Sequence, residues 1–174
     1  MRVFAAIEIP EDIKARILEF EEEIKPEGVT PVRGDAVHIT LQFFGEIDEH
    51  KVEQIKSVMN GIKTGRFEVS LQGVSSFTPK IMRVIYIPVL SGAEKVSAIH
   101  KALAEGTGMV GDEKFVPHAT VARVKRRPGA GLMDAIGRYS SIRFGSFDAD
   151  SIVLKKSTLK EEGPVYEELY KSEL

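Results

Sequence analysis

Two strings of the same form stand eighty residues apart in this chain: His38-Ile-Thr40-Leu41 and His118-Ala-Thr120-Val121. A second marker keeps nearly the same spacing, because Arg2-Val3 recurs as Arg83-Val84, 81 positions on. Matching residues at matching offsets constrain the fold more than composition does. They call for two halves that build the same unit, and two like units in one chain pack about a pseudo-two-fold axis. The period is too long for a solenoid, whose units run about 20–50 residues.

The hydrophobic pattern of each half agrees. Arg2–Ile9 alternates as a strand, with Val3, Ala5, Ile7 and Ile9 on one side. Pro10 and the acids after it open a helix whose seam is Ile13, Ile17, Phe20 and Ile24. A Pro/Gly-bearing loop, a strand at Val37–Phe44, a helix bearing Val52, Ile55, Met59 and Ile62, and a strand near Arg66–Val74 complete the half. The order recurs with a strand at Met82–Leu90, a helix at Ser91–Leu103, a strand at Val116–Val124, a short helix after Gly129-Ala-Gly131, and strand material around Ile142–Lys156. A last strand is expected near Val165–Lys171, after the Gly163-Pro164 turn. The expected fold is α+β: two pseudo-symmetric lobes, each a mostly antiparallel sheet backed by helices, with a central cleft. One bilobal domain spans 1–174, duplicated as approximately 1–80 and 81–160, with a C-terminal strand in 161–174 completing it.

Alternation gives the motifs a chemical meaning. Along a strand His38 and Thr40 share one face, and His118 and Thr120 do the same. Leu41 and Val121, the aliphatic flanks, take the other face and anchor in the core. Pseudo-two-fold packing then brings two imidazoles and two hydroxyls around one small volume. That volume suits a phosphodiester, because displacement at phosphorus needs a base on the attacking oxygen and an acid on the leaving one. Histidine fills either role near neutral pH, and threonine hydroxyls hold the non-bridging oxygens as charge builds. No metal or other cofactor is called for. A lone histidine is usually structural, and His50 and His100, on expected helices without a partner motif, are read that way.

Composition narrows the setting. With no cysteine among 174 residues, disulfides, thiolate metal sites and thiol nucleophiles are excluded together. The amino-terminal stretch is broken by Glu8 and reads as no signal peptide, and no apolar run approaches the roughly 20 residues of a membrane span. A cytoplasmic protein without membrane contact is expected. The net charge is −2, yet residues 114–160 hold ten Lys or Arg against three Asp or Glu, a local +7. A basic stretch in a mildly acidic chain fits a small anion or an RNA end better than a long duplex.

Paired His-x-Thr-aliphatic motifs at this separation resemble the 2H phosphoesterase superfamily. The opening Arg2-Val-Phe-Ala-Ala-Ile, "VHITLQFFGE" at 37–46, "FVPHATVARVK" at 115–125 and "LKKSTLKEEGPVYEEL" at 154–169 are similar to its RNA 2′,3′-cyclic phosphodiesterases, the LigT-like 2′-5′ RNA ligases. The resemblance implies metal-independent opening of a 2′,3′-cyclic phosphate on RNA ends, tRNA fragments among them, to a 2′-phosphate. It also implies reversible 2′-5′ joining, and a monomer. His38 becomes the acid to the leaving 3′ oxygen and His118 the base to water, though nothing in the residues separates those roles. Thr40 and Thr120 bind phosphate oxygens, and the family's arginine after the second motif falls on Arg123.

Strict alternation, however, sends Arg123 to the face opposite His118, and only a bulge near Ala122 would return it to the cleft. Otherwise it is a surface residue beside Lys125-Arg126-Arg127. Phe4 is read as core, with base stacking the rival reading. The alternatives for the whole chain are a non-catalytic module binding RNA ends or nucleotides, and a 2H phosphodiesterase acting on cyclic nucleotides, 2′-5′ oligoadenylate or RNA 3′ ends.

Overall fold

The computed structural model describes residues 1–33, 36–77, 82–109, 114–124, 128–161 and 163–174. The first half runs β1 (Arg2–Glu8), α1 (Glu11–Ile24), β2 (Val29–Pro31), β3 (His38–Glu46), α2 (Glu49–Gly61), β4 (Phe67–Gln72) and β5 (Ser75–Ser76). The second runs β6 (Val84–Pro88), α3 (Ala93–Thr107), β7 (His118–Val124), α4 (Gly131–Tyr139) and β8 (Arg143–Ala149). Two long strands follow, β9 (Ser151–Lys160) and β10 (Gly163–Glu173).

The residues that alternate in sequence occupy the core. Val3, Ala5, Ile7 and Ile9 of the first strand region are buried in it, as are the α1 seam, Val52, Ile55 and Met59 of α2, and Val96, Ile99 and Leu103 of α3. Local chemistry starts and stops the helices. Glu11 and Asp12 lie in the first turn of α1, where the helix dipole favours carboxylates. The Asp48 side chain accepts the Lys51 N–H at 2.8 Å and caps α2. At α4 the cap comes from afar: the Gly131 N–H donates to Glu27 Oε2 at 3.1 Å. A Cβ on Gly129 or Gly131 would press on the Glu27 carboxylate, which would have to move aside and give up this cap.

Sheet order is β10-β9-β1-β3-β7-β6-β5, with β2 also paired to β7, and β4 pairs with β8 in a second, two-stranded sheet. All of these pairings are antiparallel. The two motif strands sit side by side at the centre, paired at Ile39 and Ala119. The halves are interlocked more deeply than two separate lobes would be. Helix α3 packs on β3 of the first half, α1 packs on β7 and β8 of the second, and β4–β8 takes one strand from each. Three details were not expected from the sequence. The Pro/Gly-bearing loop contains β2, the segment before the second half contains β5, and the material at 142–160 is two strands that turn at Asp150.

Candidate active site

Both motif strands begin at their histidine, and the first seven residues of each share one burial sequence: half-buried, buried, half-buried, buried, buried, exposed, buried. His38, Thr40, His118 and Thr120 are the half-buried positions. Leu41 and Val121 sit behind them in the core, 1% and 0% exposed. Because β3 and β7 meet antiparallel at Ile39 and Ala119, continuing that register sets His38 toward Thr120 and Thr40 toward His118. The four side chains flank the pseudo-two-fold axis on one face of the sheet.

Two consecutive buried residues break the alternation at the same place in each half. Against β1, the β3 register steps from Thr40 to Gln42 and passes over Leu41; against β6, the β7 register steps from Thr120 to Ala122 and passes over Val121. Each is a β-bulge, and each resets which face the following residues take. Arg123 is therefore returned to the side of His118 and Thr120. It is exposed, and its charge reaches the Tyr166 phenol, offsetting part of the burial that raises that group's pKa. The equivalent position in the first half is Phe43, five residues after His38, which is 65% exposed. Phe43 was missed in the sequence, although its offset from His38 equals that of Arg123 from His118.

The imidazoles are held alike. His38 Nδ1 donates to the Ala36 carbonyl at 2.8 Å, and His118 Nδ1 donates to the Val116 carbonyl at 2.6 Å. A carbonyl only accepts, so the proton of each neutral ring sits on Nδ1 and the Nε2 lone pair is left for the cleft. Their surroundings differ. His38 lies on Phe4, ring centroids 4.8 Å apart and 26° from parallel, with Tyr166 edge-on at 5.3 Å. Phe4 is 2% exposed, one of the large buried side chains of the core, as its sequence pattern suggested. It is a floor for the imidazole, closed to a stacking base. Around the same histidine, Glu8 pairs with Lys155 and with Lys14, the latter at 3.6 Å. Burial pushes the His38 pKa down to about 4; Lys155 and Lys14 push the same way, while the Ala36 carbonyl and Glu8 oppose. His118 meets the edges of Phe77 at 4.8 Å and Tyr86 at 5.1 Å. Burial lowers its pKa too, against the Val116 carbonyl.

The remaining histidines divide. His50 is exposed on α2. His100 is buried on α3, where Nδ1 donates to the Leu41 carbonyl at 2.7 Å. Its ring lies flat on Phe115, centroids 4.0 Å apart and 9° from parallel. Leu41 is the bulge residue of β3, and Phe115 adjoins Val116, the anchor of His118. A histidine read as structural thus ties together the backbones that aim both motifs. Among the described residues, several cations of the basic stretch are paired with carboxylates. Arg138 pairs with Glu23, Lys156 with Glu167 and Lys155 with Glu8 beside His38, while the charge of Arg123 reaches Tyr166 on the same side. Lys125-Arg126-Arg127 lies outside the described residues.

A family model described as the 2′-5′ RNA ligase superfamily matches residues 9–160. The chain belongs to this superfamily. Relatives in it include the RNA 2′,3′-cyclic phosphodiesterase of Methanocaldococcus jannaschii, 37% identical over 172 residues, which are 96% of this chain and 97% of that one. The protein of the same name from Archaeoglobus fulgidus is 32% identical over 97% of this chain and 98% of its own length. The superfamily fold is seen again in a Thermus thermophilus crystal structure, with a TM-score of 0.82 and 28% identity over 100% of this chain and 98% of that one. Escherichia coli LigT complexed with ATP shares the fold at a TM-score of 0.79 and 21% identity, over 99% of this chain and 97% of that one.

Proposed function

We propose that this chain hydrolyses RNA 2′,3′-cyclic phosphodiester ends to 2′-phosphomonoesters, with His38 and His118 as the proton-transfer pair. The observation that carries the reading is the pairing of two like-held imidazoles across the Ile39–Ala119 contact, each with Nε2 free for the cleft. Membership of the superfamily and full-length relatives named RNA 2′,3′-cyclic phosphodiesterase support the substrate class.

Water enters from the more open side, that of His118, whose neutral Nε2 takes its proton as the oxygen attacks phosphorus. The bond from phosphorus to the 3′ oxygen breaks, and His38, as imidazolium, gives that oxygen its proton. The product is a 2′-phosphate beside a free 3′-hydroxyl. His38 resists protonation in the free protein, and the bound phosphodiester anion draws the proton onto it. Thr40 and Thr120 donate to the non-bridging oxygens, and Arg123 adds positive charge on the same face. Leu41 and Val121 hold the two strands in the core and never meet substrate. Metal and cofactor have no part in this scheme. The physiological ends are those of cleaved RNA, tRNA fragments included. The protein works as a cytoplasmic monomer, one folding unit with duplicated halves of about 1–80 and 81–160. No helix among the described residues is long and apolar enough to cross a membrane.

The test is incubation of a short RNA ending in a 2′,3′-cyclic phosphate, with and without EDTA. A 2′-phosphate product at equal rates in both arms is expected. A 3′-phosphate would reverse the assignment of leaving oxygen, loss of activity in EDTA would overturn the metal-free scheme, and binding without turnover would make this a module that recognises RNA ends.

A further inference from the structure

To serve as the acid His38 must carry a proton, yet two lysines act on it. Glu8 is the cross-strand partner of His38 in the β1–β3 register, and such partners set their side chains on one face of the sheet. Phe4, the floor under the same imidazole, is the cross-strand partner of Lys155 in the β1–β9 register. Lys155 reaches along this face to Glu8 Oε1, and Lys14 comes from α1 to Glu8 Oε2 at 3.6 Å. Lys14 also donates to Glu11 at 3.1 Å. The Lys155 and Lys14 side chains are 13% and 9% exposed, so water and salt screen their charges poorly.

A cation beside an imidazole disfavours the protonated ring. Burial is the main reason that His38 resists a proton; among the charges, Lys155 acts against the proton more than Glu8 acts for it, and Lys14 sides with Lys155. The other ionisable groups on this face are His118 across the Ile39–Ala119 contact, Arg123, whose charge reaches the Tyr166 phenol, and exposed Glu168 opposite Lys155 in β10. At His118 it is burial that lowers the pKa, against the Val116 carbonyl. The two lysines thus attend the histidine that donates a proton. In an empty cleft that placement hinders catalysis. Once the cleft holds an anion, the added negative charge offsets Lys155 and the imidazole takes its proton.

We propose that Lys155, clamped by Glu8, keeps His38 neutral until an anion enters the cleft, so that the substrate's own charge arms the acid. This rests on the two-histidine reading above and deepens it. Glu8 and Lys155 are positioning residues, acting on the reaction only through His38. The coupling is reciprocal: an anion that strengthens proton binding at His38 must itself bind more tightly when His38 is protonated. A phosphodiester carries the charge that arms the acid, and a neutral ester in the same cleft leaves it unarmed.

The experiment follows the His38 imidazole by NMR as the pH is varied, in the wild-type protein, Lys155→Met, Lys155→Arg and Glu8→Gln. Each is titrated in chloride and in sulfate at equal ionic strength, sulfate being an anion of constant charge over the range. In chloride the His38 midpoint is expected to rise by about 0.5–1 pH unit in Lys155→Met, to hold in Lys155→Arg and to fall in Glu8→Gln. Opposite shifts from the two ends of one ion pair are the mark of charge, because a pair that only braces the fold gives shifts of one sign or none. Sulfate is expected to raise the wild-type midpoint by about one pH unit. Shifts of one sign in Lys155→Met and Glu8→Gln, or no shift in Lys155→Met, would overturn the proposal, and so would a wild-type midpoint that sulfate leaves in place. Undiminished turnover of a nucleoside 2′,3′-cyclic phosphate by His38→Ala would instead overturn the two-histidine reading, whatever the titrations give.

Discussion

The two motif regions share a backbone and differ in what surrounds it. In each, a strand opens on histidine, the imidazole donates to the carbonyl two residues back, and a bulge after threonine turns the fifth residue toward the cleft. Around His38 the fold adds a buried phenyl floor and a Glu8–Lys155–Lys14 charge cluster. Around His118 it adds two aromatic edges, one on a half-exposed ring. Strand geometry alone suffices to aim a histidine and a threonine. The neighbours then decide how readily each imidazole takes a proton: Phe4, Glu8 and Lys14 come from β1 and α1, Lys155 and Tyr166 from β9 and β10, and the rings at His118 from β6 and the Phe77 segment.

The sharpest way to break the comparison is to remove each histidine in turn. His38→Ala and His118→Ala should each cost about 10²- to 10⁴-fold in kcat on a cyclic-phosphate substrate, the range for a positioned proton-transfer group. The double variant should lose far less than the product of the two, because groups that act as one unit are not additive. A folded single variant with near-wild-type turnover would end the two-histidine scheme. A large loss at one site with little at the other would show that the shared backbone hides unequal roles.

The threonines test the symmetric part of the site. Thr40→Val and Thr120→Val keep the side-chain shape and delete only the hydroxyl, so each should lower kcat by about 10- to 10³-fold if the hydroxyl stabilises charge on a phosphate oxygen. Losses within a few-fold of one another are expected, since the two residues occupy the same place in matching strands. If only one variant slows, one hydroxyl faces the reacting phosphate and the other is a strand residue.

His100 links the two regions and should be smaller in effect. His100→Leu leaves the Leu41 carbonyl without its donor, and an unsatisfied buried group costs about 1–3 kcal/mol. Denaturant unfolding should show that loss. The readout that separates positioning from plain stability is kcat below the transition: it should fall for the Leu variant and recover in His100→Asn if the side-chain amide reaches the same carbonyl. Unaltered kcat in a destabilised His100→Leu would make the residue purely structural.

These links also mark what a single sequence could reveal. His38, Thr40, His118 and Thr120 were legible because strand period two and an eighty-residue repeat are both linear signals. The helix seams and the buried flanks Leu41 and Val121 were legible for the same reason. The bulges were not, since no glycine or proline stands at 41–42 or 121–122 to mark them. The side of the sheet that Arg123 faces could therefore be posed only as a condition. Tyr166, Lys155 and Phe77 reach the histidines from strands and turns distant in sequence, and no periodicity encodes that meeting. The exchange of helices between halves is likewise a packing outcome, because an apolar seam specifies that a helix is covered and not by which strand.

The smallest effect is the one that most directly weighs the two environments. A histidine whose pKa is lower folded than unfolded binds its proton more weakly in the folded state, so protonation favours unfolding. For His38, lowered from 6.5 to about 4, the stabilising contribution is full above about pH 6.5 and disappears as the pH falls toward 4. With allowance for its partial contact with solvent, that amounts to about 1–2 kcal/mol. Carboxylates titrate over the same range, so the quantity to compare is the slope of unfolding free energy against pH in the wild-type protein and in His38→Gln, where the glutamine carries no proton. Between pH 6.5 and 4 the wild-type protein should lose about 1–2 kcal/mol more unfolding free energy than His38→Gln. His118→Gln should flatten the slope less, because burial bears more heavily on His38, set between Phe4 and Tyr166 with two lysines nearby. Equal flattening by both substitutions would mean that the phenyl floor and the lysines do nothing to distinguish the two imidazoles, and the asymmetry of the site would then have to lie in how it holds the substrate.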